Sequence, residues 1–370
     1  MSLRTALLAA AAVASLASAT LLPAQAADRV VASIRPVHSL VAAVMAGVGE
    51  PELIVGAGAS PHTYSLKPSN ARALQDARLI IWVSPGLETF LEKPIEALGT
   101  NAAVLTLAEV PGVTLLDQRS GGAFEKHDHD GEDHDGDREA EHKDDHDHDA
   151  DHKAEYESQD HDHEAVNNHD DGQKEVYDVH NADHDNEKYA GDEQEHGRDG
   201  NDWHMWLDPA NARAFVAAIA MKLAEVDPDN ADRYAANAKA TTARIDALIG
   251  KIEADIAPLR DKPFIVFHDA YQYFEHRFGL EAVGSITVSP EAIPGAARIA
   301  EMRETVEHSG AVCVFAEPQF PPKLVNVVIE GTGAKAGELD PLGTDIADGP
   351  DLYFELIERM AESFKDCLTN

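Results

Sequence analysis

The chain has 370 residues and carries 67 acidic against 30 basic side chains, a formal net charge of −37 with 19 histidines. Phosphate backbones demand a basic footprint, so nucleic acid is excluded as a partner. The charge is unevenly placed: residues 120–200 hold 30 Asp/Glu, 7 Lys/Arg and 13 His, which is −23 of the −37, and the rest of the chain shares −14.

Residues 1–26 read as a cleavable export signal: Arg4 for the positive start, an Ala/Leu-rich apolar stretch from Ala6 to Leu22, and Ala24-Gln25-Ala26 at the cut. No second apolar run is long enough to span a bilayer, so the mature chain is expected to be soluble in the periplasm and not membrane-inserted. Over residues 27–119 the strand candidates are Val30–Ile34, Glu52–Val55, Leu79–Val83 and Val104–Leu107. Helices are expected from Val37, Ser69 and Leu87, the alternation of a small parallel sheet. Residues 120–201 form an acidic, histidine-rich insert with too few apolar side chains for a core, expected to be disordered. Residues 202–228 return to the first lobe, with a helix from Pro209 to Glu225 capped by Asp208. Residues 229–260 carry a long helix, Ala231–Ile256, whose Ile245, Leu248, Ile252 and Ile256 recur at intervals of three and four. Over residues 261–370 strands are expected at Phe264–Phe267, Val283–Ile286, Ala311–Phe315 and Ala334–Leu339, with helices from Asp269, Pro294, Pro322 and Pro350. The fold class is therefore α/β: two βα lobes with small parallel-type sheets, a long helix between them, and a ligand site in the interlobe cleft at strand C-terminal ends.

Cys313, in an apolar strand, and Cys367, in the last helix, form a disulfide candidate in an oxidising compartment, the alternative being two buried thiols. Outside the insert only His38, His62, His204, His268, His276 and His308 remain. His62, His204 and His268 stand in loops or at strand ends, where distant segments converge on one cleft. Each alone reads more readily as a hydrogen-bonded core residue than as a ligand. His38 is expected to open a helix, and His276 and His308 to sit on helical surfaces.

Five ordered motifs carry a resemblance: Gly58-Ala-Ser-Pro-His-Thr-Tyr-Ser-Leu-Lys-Pro68, Trp203-His-Met-Trp-Leu-Asp-Pro209, Val266-Phe-His-Asp-Ala-Tyr271, Phe315-Ala-Glu-Pro-Gln-Phe320 and Leu339-Asp-Pro-Leu-Gly343. Together they resemble the ZnuA family, the periplasmic zinc receptors of high-affinity zinc ABC importers, over nearly all of the mature chain. The resemblance implies two lobes joined by a single long helix, with zinc held in the cleft by His62, His204 and His268. Its fourth position is water or Asp340, which matches a coordinating aspartate of the wider family and is equally readable as a turn residue beside Pro341. Some zinc members carry Glu before the first histidine, where this chain has Pro61. Three imidazoles suit zinc, although copper and nickel also bind imidazole strongly. Manganese receptors resembling the family place a carboxylate where this chain has His268.

The resemblance implies an inner-membrane ABC permease as partner, a monomer, and no enzymatic activity. The insert is expected to collect zinc weakly through His127, His129, His134, His142, His146, His148, His152, His161, His163 and His169, set among carboxylates. It is also a candidate zinc sensor or contact for a periplasmic zinc metallochaperone. A flexible tether of this size spans roughly 50 Å and holds captured metal at about millimolar effective concentration near the cleft. Two rival readings stand beside this one. A zinc-dependent hydrolase would need Asp269 or Glu317 as general base, yet these read better as a helix cap and a strand-ending turn. A secreted zinc buffer would need only the insert.

Overall fold

The computed structural model describes residues 29–121, 123–124, 200–287, 294–320 and 323–369. The expected export signal and the insert histidines, the ten named above among them, lie outside those residues.

The first lobe builds a parallel sheet from β1 (Val30–Ile34), β2 (Glu52–Val55), β3 (Leu79–Trp82) and β4 (Ala103–Thr106), in the order β2-β1-β3-β4. β1 and β3 are central and buried at every position, which is why they read as unbroken apolar runs. Helices α1 (Arg35–Val44), α2 (Pro68–Asp76) and α3 (Thr89–Leu98) make the crossovers. The expected start of α3 at Leu87 shifts to Thr89. The Glu88 carboxylate folds back to accept from the backbone N–H groups of Val83 and Ser84, holding residues 84–88 as a turn.

A two-stranded antiparallel ladder of β5 (Leu116–Asp117) and β6 (Asn201–Asp202) follows, joining the two flanks of the insert. Periodicity gave no sign of it, because two residues on each side carry no pattern. Helix α4 (Pro209–Val226) starts as expected, with Asp208 accepting from Ala210 N and Pro209 in the first turn.

Helix α5 (Ala231–Ile256) spans about 39 Å. Its buried stripe of Tyr234, Ala238, Thr241, Ile245, Leu248, Ile252 and Ile256 packs on α1 and α4 of the first lobe and on α9 (Leu352–Thr369) of the second.

The second sheet contains β7 (Phe264–His268), β8 (Ala282–Thr287), β9 (Cys313–Ala316) and β10 (Lys335–Glu338), all parallel, in the order β10-β9-β7-β8. Helices α6 (Gln272–Phe278), α7 (Ala296–Ser309) and α8 (Lys323–Ile329) connect its strands. Alternation along β7 sends Phe264 and Val266 into the core shared with the first lobe. Ile265 and Phe267 point to a second cluster under α7 and α8, with Met302, Val306, Val325 and Val328. The expected start of α6 at Asp269 moves to Gln272, because the Asp269 side chain is taken by Arg119. Cys313 and Cys367 are joined as a disulfide with 6.0 Å between their Cα atoms, tying β9 to α9.

Buried polar bonds also fasten lobe to lobe. Arg35 donates to the carbonyls of Gly343 and Ile346 and pairs with Asp348. Trp206 Nε1 donates to Pro341 O at 2.8 Å, and the Tyr353 hydroxyl donates to Trp206 O at 2.9 Å.

Candidate metal centre

His62 lies in the loop between β2 and α2. That loop is pinned by Tyr64, whose hydroxyl donates to Ile54 O at 3.0 Å and whose ring lies 5.1 Å from Phe90. His204 follows β6 directly and leads into α4. Its neighbour Trp203 fits because residue 86 is glycine: a Cβ there would lie 2.1 Å from the indole nitrogen. His268 is the last residue of β7. Three segments far apart in sequence thus deliver three imidazoles to one point, and their donor atoms all lie within 4.8 Å of one another.

Two of the rings are oriented by carboxylates. His204 Nδ1 lies 2.7 Å from Asp202 Oδ1, and His268 Nδ1 lies 2.5 Å from Glu317 Oε1. An ionised carboxylate only accepts, so each Nδ1 carries the proton and each Nε2 turns a lone pair inward. His204 Nε2 is 3.2 Å from His62 Nε2 and 3.3 Å from His268 Nε2. The edge of a zinc tetrahedron with Zn–N bonds of about 2.0–2.1 Å is about 3.3–3.4 Å. The two spacings from His204 therefore match edges of a zinc tetrahedron, and the third pair, His62 and His268, offers ligand atoms within 4.8 Å of each other. Lone pairs facing each other at this distance repel unless a cation lies between them.

The cavity at the three histidines has a volume of about 10 Å³, the space of one water-sized sphere, which is room for a single ion. Trp206, Phe320 and Leu342 contribute to its walls. Burial, together with the positive charge His204 and His268 would carry, holds His62 well below the ordinary imidazole value. At His268 burial also acts downward, but the Glu317 carboxylate outweighs it and raises the pKa.

Asp340 stands outside this cluster. Its Oδ1 accepts from Gln319 Nε2 at 2.7 Å and Leu342 N at 3.0 Å, and its Oδ2 accepts from Thr344 N, so both oxygens serve the turn after β10. His38 lies within α1 against Pro51 O, while His276 and His308 are exposed on α6 and α7. The two proposed general bases have other partners. Glu317 does follow the end of β9 and begins a turn, but its carboxylate sits on the far side of the His268 ring from Nε2. Asp269 is no helix cap and is held by Arg119. The orienting roles of Asp202 and Glu317 went unread in the sequence. Asp202 had a local signal, two residues before His204, whereas Glu317 lies 49 residues from His268 and only folding joins them.

Two parallel α/β lobes on one long helix, with three converging imidazoles between them, define a bilobal metal-binding protein. Residues 30–367 match the family model for ZnuA, the periplasmic zinc-uptake complex component A, and the chain belongs to that family. It is similar to the high-affinity zinc uptake system protein ZnuA of Brucella suis biovar 1 (strain 1330), 50% identical over 342 residues, 92% of each chain. It is also similar to that of Paracoccus denitrificans (strain Pd 1222), 40% identical over 349 residues, 94% of each chain. Among solved structures, the periplasmic zinc-binding protein TroA from Treponema pallidum shares the fold, with a TM-score of 0.65 at 16% identity over 92% of this chain and 99% of that one. Membership makes the chain a periplasmic binding component and not an enzyme, with zinc as its metal. No helix among the described residues is long and apolar enough to cross a membrane.

Proposed function

We propose that this protein captures Zn(II) in the interlobe cleft through Nε2 of His62, His204 and His268 and delivers it to an inner-membrane ABC permease. The observation that carries this reading is the pair of carboxylate-oriented lone pairs facing each other at 3.3 Å inside a one-ion cavity. Water completes the coordination, because both oxygens of Asp340 are engaged in their own turn. His62 is the half-buried ligand on a loop, whereas His204 and His268 are buried, so the ion enters and leaves past His62. With the lobes tied through Arg35, Trp206 and Tyr353, exchange proceeds by loop and side-chain movement and not by a wide hinge. Zinc requires neutral imidazoles, so affinity falls as the medium acidifies.

In this reading the insert at residues 120–201, with its histidines from His127 to His169, is a separate low-affinity collector. It is also the surface for any periplasmic metallochaperone, and the receptor works as a monomer. The test replaces residues 125–199 with a short Gly/Ser linker and measures zinc stoichiometry and affinity by chelator competition. One tight site is expected to persist while weaker binding is lost. His62→Ala, His204→Ala and His268→Ala should each weaken the tight site more than about 100-fold, beyond the 10–100-fold typical of an outer-shell partner. Loss of the tight ion together with residues 125–199 would overturn the assignment. Delivery is tested by growth under zinc limitation, which should fail in a deletion strain and recover with added zinc.

A further inference from the structure

The segment of residues 116–121 and 123–124 runs from the end of the first lobe into the insert and is fastened along the second lobe. Leu116 N donates to the Tyr273 hydroxyl of α6, which donates in turn to Asp202 O at 2.6 Å, so the β5-β6 ladder is anchored on α6. Arg119 then places its guanidinium between two carboxylates. Its Nε donates to both oxygens of Asp269 at 3.1 and 3.0 Å, and its Nη1 and Nη2 reach Glu275 at 2.7 and 3.0 Å. The far face of the guanidinium rests on Phe124, 4.4 Å from the ring centre. Further along, the Ala123 carbonyl accepts from Ser285 N on β8 and from Arg298 on α7. Ala123 passes so close to β8 that a Cβ on Gly284 would lie 2.7 Å from its own.

The position of this strap relative to the zinc ligands is what gives it a role. Asp269 follows His268 directly in the chain. Leu116 pairs with Asp202, whose carboxylate holds His204. One short segment therefore grips the neighbour of one ligand and the support of another, and those ligands come from different lobes. We propose that Arg119 is a positioning residue for the zinc site, holding the His268 end of β7 in register with the His204 loop through Asp269 and Glu275. This rests on the ligand assignment above and adds a function for a residue remote from the ion. A planar fork shared by two mostly buried carboxylates fixes distance and angle together, which a lysine ammonium does not reproduce. His62, on the loop between β2 and α2, is not part of this device.

The test uses the full chain loaded with zinc or with cobalt(II), whose visible absorption reports the geometry of the ligand set. Arg119→Gln should release zinc to excess chelator about tenfold faster, the low end of the range for outer-shell partners, with an altered cobalt spectrum. Arg119→Lys should fall between Gln and parent. A folded Arg119→Gln protein with a parental cobalt spectrum and a release rate within about twofold of parent overturns the proposal, even if its melting temperature drops. Should Arg119→Gln fail to fold, Asp269→Asn decides by the same two readouts, since it retains the Glu275 pair. Unchanged zinc binding in His204→Ala and His268→Ala would instead sink the ligand assignment itself.

Discussion

The first lobe orders its strands β2-β1-β3-β4, and the second, read from its β8 edge, orders them β8-β7-β9-β10. In each, the leading strand lies between the second and third, so the topological switch and its crevice fall at that strand's C-terminal end. The lobes use this shared frame differently. In the second lobe the leading strand itself ends in one of the three clustered histidines, His268, backed by a buried carboxylate from the end of β9. In the first lobe β1 ends in Ile34 and runs straight into α1, and the other two histidines of the cluster arrive on loops, His62 after β2 and His204 after β6. A rigid half-site thus faces a loop-borne one. Such an asymmetry suits a receptor that must both hold an ion and release it.

The two lobes also stabilise themselves differently, and the largest expected effect tests that. The second lobe carries the Cys313–Cys367 cross-link, which closes a separation of 54 residues. Replacing both cysteines by serine should cost up to about 4 kcal/mol in the chain-entropy picture. Denaturant unfolding under non-reducing conditions measures it. An unchanged midpoint would mean that the packing of β9 on α9 suffices alone.

In the first lobe the comparison turns on a buried acid, Glu88. Glu88 accepts from Ser33 Oγ at 2.5 Å and from two backbone N–H groups, yet burial pushes its pKa from the ordinary 4.5 up to about 7. A raised carboxyl pKa means that the folded state binds more protons than the unfolded chain between those values. Stability is therefore favoured below pH 4.5 and lost as the pH rises through about 7, by about 3 kcal/mol in total. The stability difference between parent and Glu88→Gln, measured across this range in metal-free protein, should move in favour of Gln as pH rises. A difference independent of pH would show that folding leaves the carboxyl's pKa where it stands in the unfolded chain.

The smallest effect compares the two orienting acids. Glu317→Gln on the rigid side and Asp202→Asn on the loop side should each weaken zinc binding by roughly 10- to 100-fold, Glu317 by the larger factor. The reason is that an amide cannot stabilise the Nδ1 proton as a carboxylate does. Equal losses in chelator competition would remove the distinction between the rigid and loop-borne halves.

Most strands and the long helix were legible because burial imposes a pattern. β1 and β2 fall at the expected residues, and α5 occupies the expected Ala231–Ile256. The misplacements have local causes. The starts of α3 and α6 shift because Glu88 and Asp269 spend their side chains elsewhere, on a backbone turn and on Arg119. A short ladder such as β5-β6 leaves no periodic trace at all.

By itself the sequence determined the α/β class, the division of charge between a folded chain and an acidic insert, and the three histidines worth singling out. These follow from composition, from periodicity, and from motif order along one dimension. Tertiary structure decided which acids speak to those histidines and that Asp340 turns away to its own loop. It also decided that the flank of the insert is a strap across the second lobe. Those outcomes depend on pairs separated by 49 residues for Glu317 and His268 and by 150 for Arg119 and Asp269. No local propensity encodes such pairs; they form only when packing of the shared core brings the ends of two parallel sheets to the same cleft.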